Sequence, residues 1–176
     1  MFESSQFIVL FGPPLAGKGT IVQAVGLSRA ERVRSLEVSS NTDFGVVKHH
    51  ALLVSCTDRT ETQLYVATLP GGVWGTDPWC ELLRRACAIV LVLDSQRTRA
   101  TENAESIEVL DGLEQVPNVG CVVMSKGDLV RASTSTSYAR LSSSPFSAWP
   151  VFHTRHDSPA TLLRPIEWIL GQFSNS

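Results

Sequence analysis

The chain has 176 residues, 43% hydrophobic and 18% charged, which suits one domain with a substantial core. Lys plus Arg number 15 and Asp plus Glu 17, for a formal net charge of −2. That balance excludes nucleic acid and anionic membrane as generic electrostatic partners, so any anion site must be local.

Residues 7–11 form a compact apolar run ending at Gly12-Pro13-Pro14, the pattern of a buried strand that stops in a sharp turn. Residues 21–25, closed by Gly26, suit a short helix, and the polar stretch 28–44 shows no sustained period and is expected to be a mobile connection. Two strands are predicted at 50–56 and 63–68, joined by polar residues 57–62 as a hairpin-like pair. Asp77-Pro78 reads as N-cap and first residue of a helix carrying Trp79, Leu82, Leu83 and Ala86 on one face. A strand over 88–93 ends at Asp94, a helix is predicted over 101–115, and a buried strand over 119–124 ends at Ser125-Lys126-Gly127-Asp128. The Ser/Thr-rich stretch 132–147 promises at most a short, weakly held helix. A last strand is expected at 151–153 and a last helix over 162–173, starting near Thr161 so that Pro165 falls in its first turn.

Buried strands alternating with amphipathic helices predict an α/β fold: one domain over 1–176, its mostly parallel central sheet covered by helices on both faces. Ligands of such sheets gather at the carboxyl ends of the strands, where each motif below falls. No repeat or linker divides the chain. Cys56, Cys80, Cys87 and Cys121 lack the paired spacing of a zinc site, and Cys87 and Cys121 read as small buried hydrophobes. No leader-like segment opens the sequence, and no uncharged stretch approaches the roughly 18 residues needed to cross a bilayer. The expected setting is a reducing cytoplasm.

Gly12-Pro-Pro-Leu-Ala-Gly17-Lys18 matches GxxxxGK between a strand and a helix. In that context the N–H groups of Leu15, Ala16, Gly17, Lys18, Gly19 and Thr20 can curl around a phosphate, aided by the helix dipole. Lys18 supplies a compact cation for the outer phosphates, and a side chain at Gly17 would obstruct the close approach of backbone to ligand. The position after Lys18 normally carries the Ser or Thr whose hydroxyl meets Mg²⁺; here it is Gly19. Thr20 lies about 100° further around the helix, so its hydroxyl is expected to point elsewhere.

Ser125-Lys126-Gly127-Asp128 follows a buried strand where nucleotide-binding folds carry Asn/Thr-Lys-x-Asp. A carboxylate at Asp128 can accept hydrogen bonds from guanine N1 and N2, a donor pair that adenine lacks, while the Lys126 stem can cover the base plane. Ser125 keeps a hydroxyl but shortens its reach.

In order, GPPLAGKGT, ATLPGGVW, LVLDSQ, ENAESIEVL and SKGD resemble the MglA-type bacterial small GTPases of the Ras superfamily, from about residue 7 to residue 170. Thr68-Leu-Pro-Gly71 is similar to that family's TxPG, where other Ras relatives carry DxxG. The resemblance implies a switch between GDP and GTP forms, a Roadblock-type (MglB-like) dimer as the accelerating partner, and a role in polarity or motility. It implies that Lys18 meets the β- and γ-phosphates, that the Gly71 N–H senses the γ-phosphate and that Asp128 selects guanine. His153, Thr154 and Arg155 occupy the last nucleotide loop.

The sequence departs from the family where hydrolysis is concerned. Gly72 replaces the Gln that orients the attacking water, and the arginine ahead of the switch threonine is missing from Ser39-Ser-Asn-Thr42-Asp-Phe44. Thr42 is the candidate switch threonine, and Thr42 and Thr68 are the candidate Mg²⁺ ligands. Arg29, Arg32 and Arg34 read as a solvated face. The expectation is a guanine-nucleotide-binding protein with slow or partner-dependent hydrolysis.

Two other readings stay open. The loop also resembles that of adenylate kinases, which suggests a small-molecule kinase, although no arginine-rich lid sequence follows. A degenerate GTPase kept as an interaction module would explain Gly19, Gly72 and Ser125 together. Trp74 and Trp79 flank the second switch; Trp79 reads as core and Trp74 as a candidate partner contact.

Overall fold

The computed structural model describes residues 6–42, 45–57, 63–68, 82–129 and 141–174, with the backbone alone at 6, 29–42, 45–57, 63–68 and 174. Seven strands form one mixed sheet: β1 (Gln6–Phe11), β2 (Ala30–Thr42), β3 (Gly45–Thr57), β4 (Gln63–Thr68), β5 (Ala86–Asp94), β6 (Val119–Ser125) and β7 (Val151–His153). Their order across the sheet is β2-β3-β4-β1-β5-β6-β7. From β4 to β7 every neighbour runs parallel, while β2 and β3 add an antiparallel hairpin at one edge.

Parallel strands covered on both faces must be apolar on both sides. Along β1, Ile8 and Leu10 face one core, while Phe7, Val9 and Phe11 face the other. Likewise β5 splits Ala88, Val90 and Val92 from Ile89, Leu91 and Leu93. Helices α1 (Lys18–Arg29) and α3 (Pro159–Ser174) cover the first face with Ile21, Val22, Val25, Ile166 and Ile169. Helix α2 (Ala100–Asp111) covers the second with Ile107 and Leu110. Cys121 is fully buried and Cys87 half-buried; burial pushes their thiols up to about 12 and about 11, so both stay protonated at neutral pH.

The largest departure from expectation is stretch 28–44. Rather than a mobile connection it supplies β2, paired residue by residue with β3 from Arg32↔Ser55 to Thr42↔Gly45. As an edge strand β2 has a neighbour on one side only. The pairing also lengthens β3, which starts at Gly45 rather than His50. Helix α1 runs past Gly26 to Arg29, and α2 ends early because Gly112 caps it, its N–H donating to Glu108 O at 2.9 Å. Helix α3 opens at Pro159, so Pro165 lies in its second turn. Of the helix expected after Asp77, residues 82–85 are helical with Leu83 buried; Trp74 and Trp79 lie outside the described residues. In the Ser-rich stretch only a short 3-10 turn, Pro145–Ala148, and residues 141–142 are described as helical.

The parallel strands β1, β4, β5, β6 and β7 end together at one edge, at Phe11, Thr68, Asp94, Ser125 and His153. That edge holds the candidate site.

Candidate nucleotide-binding site

The loop between β1 and α1 turns sharply because its backbone is left-handed where glycine permits it. Gly12 has φ +147°, and a Cβ there would fall 1.9 Å from Val92 O, so no other residue fits between β1 and β5. Gly17 has φ +95°, and Leu15, 75% exposed, is also left-handed at φ 60°. Ala16 is buried and donates its N–H to Pro13 O at 3.3 Å. The result is a tight loop closing onto the first turn of α1, where unpaired helical N–H groups collect.

Lys18 sits inside this loop with 6% exposure. Its Nζ donates to Gly12 O at 2.7 Å and to Pro13 O at 2.6 Å, and no carboxylate pairs with it among the described residues. Burial pushes its ammonium down to about 8. A buried cation without a counter-charge is costly and favours an anion beside it. Gly19 faces open space, with nothing within 4 Å of a built Cβ, and Thr20 is exposed, as its place on the helix predicts.

The second half of the site begins where β5 and β6 end. Asp94 is buried, with both carboxylate oxygens in use: Oδ1 accepts from Gln96 N at 2.9 Å and Oδ2 from Lys126 Nζ at 2.6 Å. Asn103 of α2 clamps the Asp94 backbone, donating to its carbonyl at 2.8 Å and accepting from its N–H at 3.0 Å. Lys126 is thereby held at φ 57°, and the turn closes with Leu129 N–H donating to Lys126 O at 3.1 Å. Ser125 spends its hydroxyl on Leu93 O, at 3.0 Å, and accepts at its carbonyl from Ser95 N.

Asp128 contrasts with Asp94. Its side chain is 10% exposed; Oδ2 meets His156 Nδ1 at 3.0 Å, but Oδ1 is buried with no hydrogen-bond partner among the described residues. The His156 hydrogen bond holds the Asp128 carboxyl below the usual carboxylate range. An unpartnered buried carboxylate oxygen is uncommon in folded proteins and leaves an acceptor open.

The two halves touch. A Cβ built on Gly17 would lie 3.7 Å from Ser125 Cβ, so the phosphate-type loop and the Lys126–Asp128 turn are neighbours across the strand ends. The loop after β7 joins them through Thr154, which is buried and donates its N–H to Met124 O at 3.0 Å. Arg155 turns to Asp157, at 2.9 Å, and gives its N–H to Thr161 Oγ1. The residue of this loop that reaches Asp128 is His156, which sequence reasoning did not single out.

Thr68 ends β4, paired with Leu10, two residues before the loop begins at Gly12. Thr42 closes β2 at the hairpin tip opposite Gly45, beyond Leu53 where the pairing with β4 begins. Gly71 and Gly72 lie outside the described residues. Sequence reasoning also missed Asp94 and Asn103 as the support of Lys126. Asp94 had one visible signal, a charge at the end of an otherwise apolar strand.

This is an α/β domain whose parallel strands and GxxxxGK loop are compatible with a P-loop nucleotide-binding fold. No protein-family model matches the chain, and no curated protein matches it. Among the described residues no helix is long and apolar enough to cross a membrane, and no group of His, Cys, Asp and Glu is arranged to hold a metal.

Proposed function

We propose that this protein is a guanine-nucleotide-binding switch of the small-GTPase kind, resembling the MglA type, that hydrolyses GTP slowly or only with a partner. The observation that carries the reading is Lys18: a buried ammonium with no carboxylate partner among the described residues, set in a glycine-turned loop at a helix N-terminus. Phosphate oxygens are the counter-charge that such a place favours, and the amides of Leu15 and of Gly17 to Thr20 are the donors around it, with the Ala16 N–H shared with Pro13 O. Asp128, with its unpartnered Oδ1 in the adjoining turn, supplies the acceptor for a base carrying N–H donors. Guanine has two on one edge.

The residues that hold the nucleotide in this reading are Gly12, Leu15, Ala16, Gly17, Lys18, Gly19 and Thr20 at the phosphates. Ser125, Lys126, Asp128, Thr154 and Arg155 serve at the base, with Gly71 at the γ-phosphate. Gly72 provides no side chain to orient water, which supports slow hydrolysis and a partner-supplied group, of the kind a Roadblock-type dimer would bring. Mg²⁺ is held weakly, because Gly19 offers no hydroxyl and Thr42 and Thr68 are the remaining candidate ligands.

Calorimetry of the pure chain with GDP, GTP and ATP, each with Mg²⁺ and with EDTA, tests this directly. Micromolar or tighter GDP and GTP binding is expected, with ATP at least about 100-fold weaker and the preference lost in Asp128→Ala. Heat from ATP alone would replace the reading with a nucleotide kinase. No heat from any nucleotide would leave an interaction module.

A further inference from the structure

A cavity among the described residues lies away from the nucleotide site. It opens where β6 begins, at Gly120, roughly 17 Å along the strand from Ser125, and has a volume of about 540 Å³. That is the size range of sites that take small ligands or anchoring side chains. Gly120 makes room for its wall: a Cβ there would fall 2.3 Å from the Trp149 ring, so the indole packs on bare backbone. Trp149 packs in turn on Phe146, ring centroids 4.8 Å apart and tilted by 47°, and Trp168 of α3 adds a further aromatic wall. Two exposed carboxylates, Asp111 and Glu114 at the end of α2, line the same cavity. Among the described residues no Lys or Arg lines it, and neither carboxylate is held in an ion pair.

Aromatic walls beside unpaired carboxylates select a cation with a flat or apolar body. Arginine fits both halves, because its guanidinium stacks on aromatic faces, is weakly hydrated and pairs with carboxylates. The cavity is larger than one side chain needs, leaving room for the residues flanking it. We propose that this cavity docks a basic peptide segment of a partner protein, with an arginine laid against Trp149 and Trp168 and paired with Asp111 and Glu114. The docking site stands at the opposite end of β6 from the nucleotide loops and is independent of the nucleotide reading. A partner seated there leaves the loops at Lys18 and Asp128 uncovered.

The test uses the full chain and two capped peptides, Gly-Leu-Arg-Leu-Arg-Gly and its counterpart with Glu in place of Arg. Binding is followed by tryptophan fluorescence and by the NMR shifts of the Trp149 and Trp168 indole N–H groups. Saturable binding of the arginine peptide is expected, with both indole signals moving and the glutamate peptide silent. In an Asp111→Lys, Glu114→Lys double variant, which changes exposed positions only, affinity for the arginine peptide should fall at least about tenfold. GDP affinity and melting temperature should stay as in the wild type. The proposal is overturned by no saturable shift, by equal binding of the glutamate peptide, or by unchanged affinity in the double variant. Binding of free arginine amide as tight as the peptide would also overturn it, by showing a small-cation site.

Discussion

The two halves of the candidate nucleotide site are made of different material. Around Lys18 the work falls to backbone: left-handed Gly12 and Gly17, the carbonyls of Gly12 and Pro13, and the N–H groups opening α1. Around Asp128 it falls to side chains, in a chain of contacts from Asn103 through Asp94 to Lys126 and onward in sequence to Asp128. A backbone cradle needs no hydroxyl at Gly19, because its donors are amides. A side-chain network has no such reserve, since removing one member strands its partner. Substitutions in the two halves should therefore fail differently.

The severest should be Gly12→Ala. Its Cβ would overlap Val92 O, at 1.9 Å, in a backbone conformation that alanine resists, and both strands are central. A loss of about 4 kcal/mol is expected by urea denaturation. A variant within 1 kcal/mol of wild type by the same order-of-magnitude measure would show that the loop relaxes away from β5.

Lys18→Met should act with the opposite sign on the ligand-free fold. The folded pKa of about 8 lies below the free value of 10.5, so between them the unfolded chain binds more protons. Stability therefore rises with pH across that window and is reduced below it. The full shift corresponds to ~3 kcal/mol, and the two carbonyl hydrogen bonds offset part of it, so removing the charge should stabilise the empty chain by about 1–3 kcal/mol. Melting curves from pH 7 to 10 should lose their rise in the variant, and GDP binding should vanish. A variant less stable than wild type at pH 7 would count against the uncompensated cation.

The same contrast explains what was legible. Gly12, Gly17 and Lys18 are fixed by local spacing, and their strand-turn-helix setting is written in adjacent residues. Strands β1, β5 and β6 are apolar on both faces, a pattern that needs no partner to recognise. The Asp94–Lys126 pair joins residues 32 positions apart, and Asn103 reaches Asp94 from another element. Only the register of β5 on β6, Asp94↔Ser125, brings them together. His156 was unreadable for the same reason, and β2 because its order comes from β3 rather than from its own sequence.

Asp94→Asn probes that network. It leaves Lys126 without its carboxylate, and Lys126 is 27% exposed, so water softens the loss. A cost of about 2 kcal/mol is expected, with GDP affinity falling roughly tenfold as the Asp128 turn loosens. In a double-mutant cycle, Lys126→Met on the Asp94→Asn background should add little to the stability loss. Strict additivity would mean that the pair is not coupled.

Gly19→Ser is the mildest change and bears most directly on the phosphate half. Nothing lies within 4 Å of a Cβ at this position, so serine enters without a clash. Relieving a helical glycine should raise stability by about 0.5 kcal/mol, because serine restricts the unfolded chain more. If the cradle is backbone-built and holds Mg²⁺ weakly, wild-type GDP affinity should be nearly the same with Mg²⁺ as with EDTA. The new hydroxyl should then open a several-fold difference between the two conditions. A wild-type chain that already loses GDP in EDTA would mean that another group holds the metal. The phosphate half would then depend on side chains as much as the base half does.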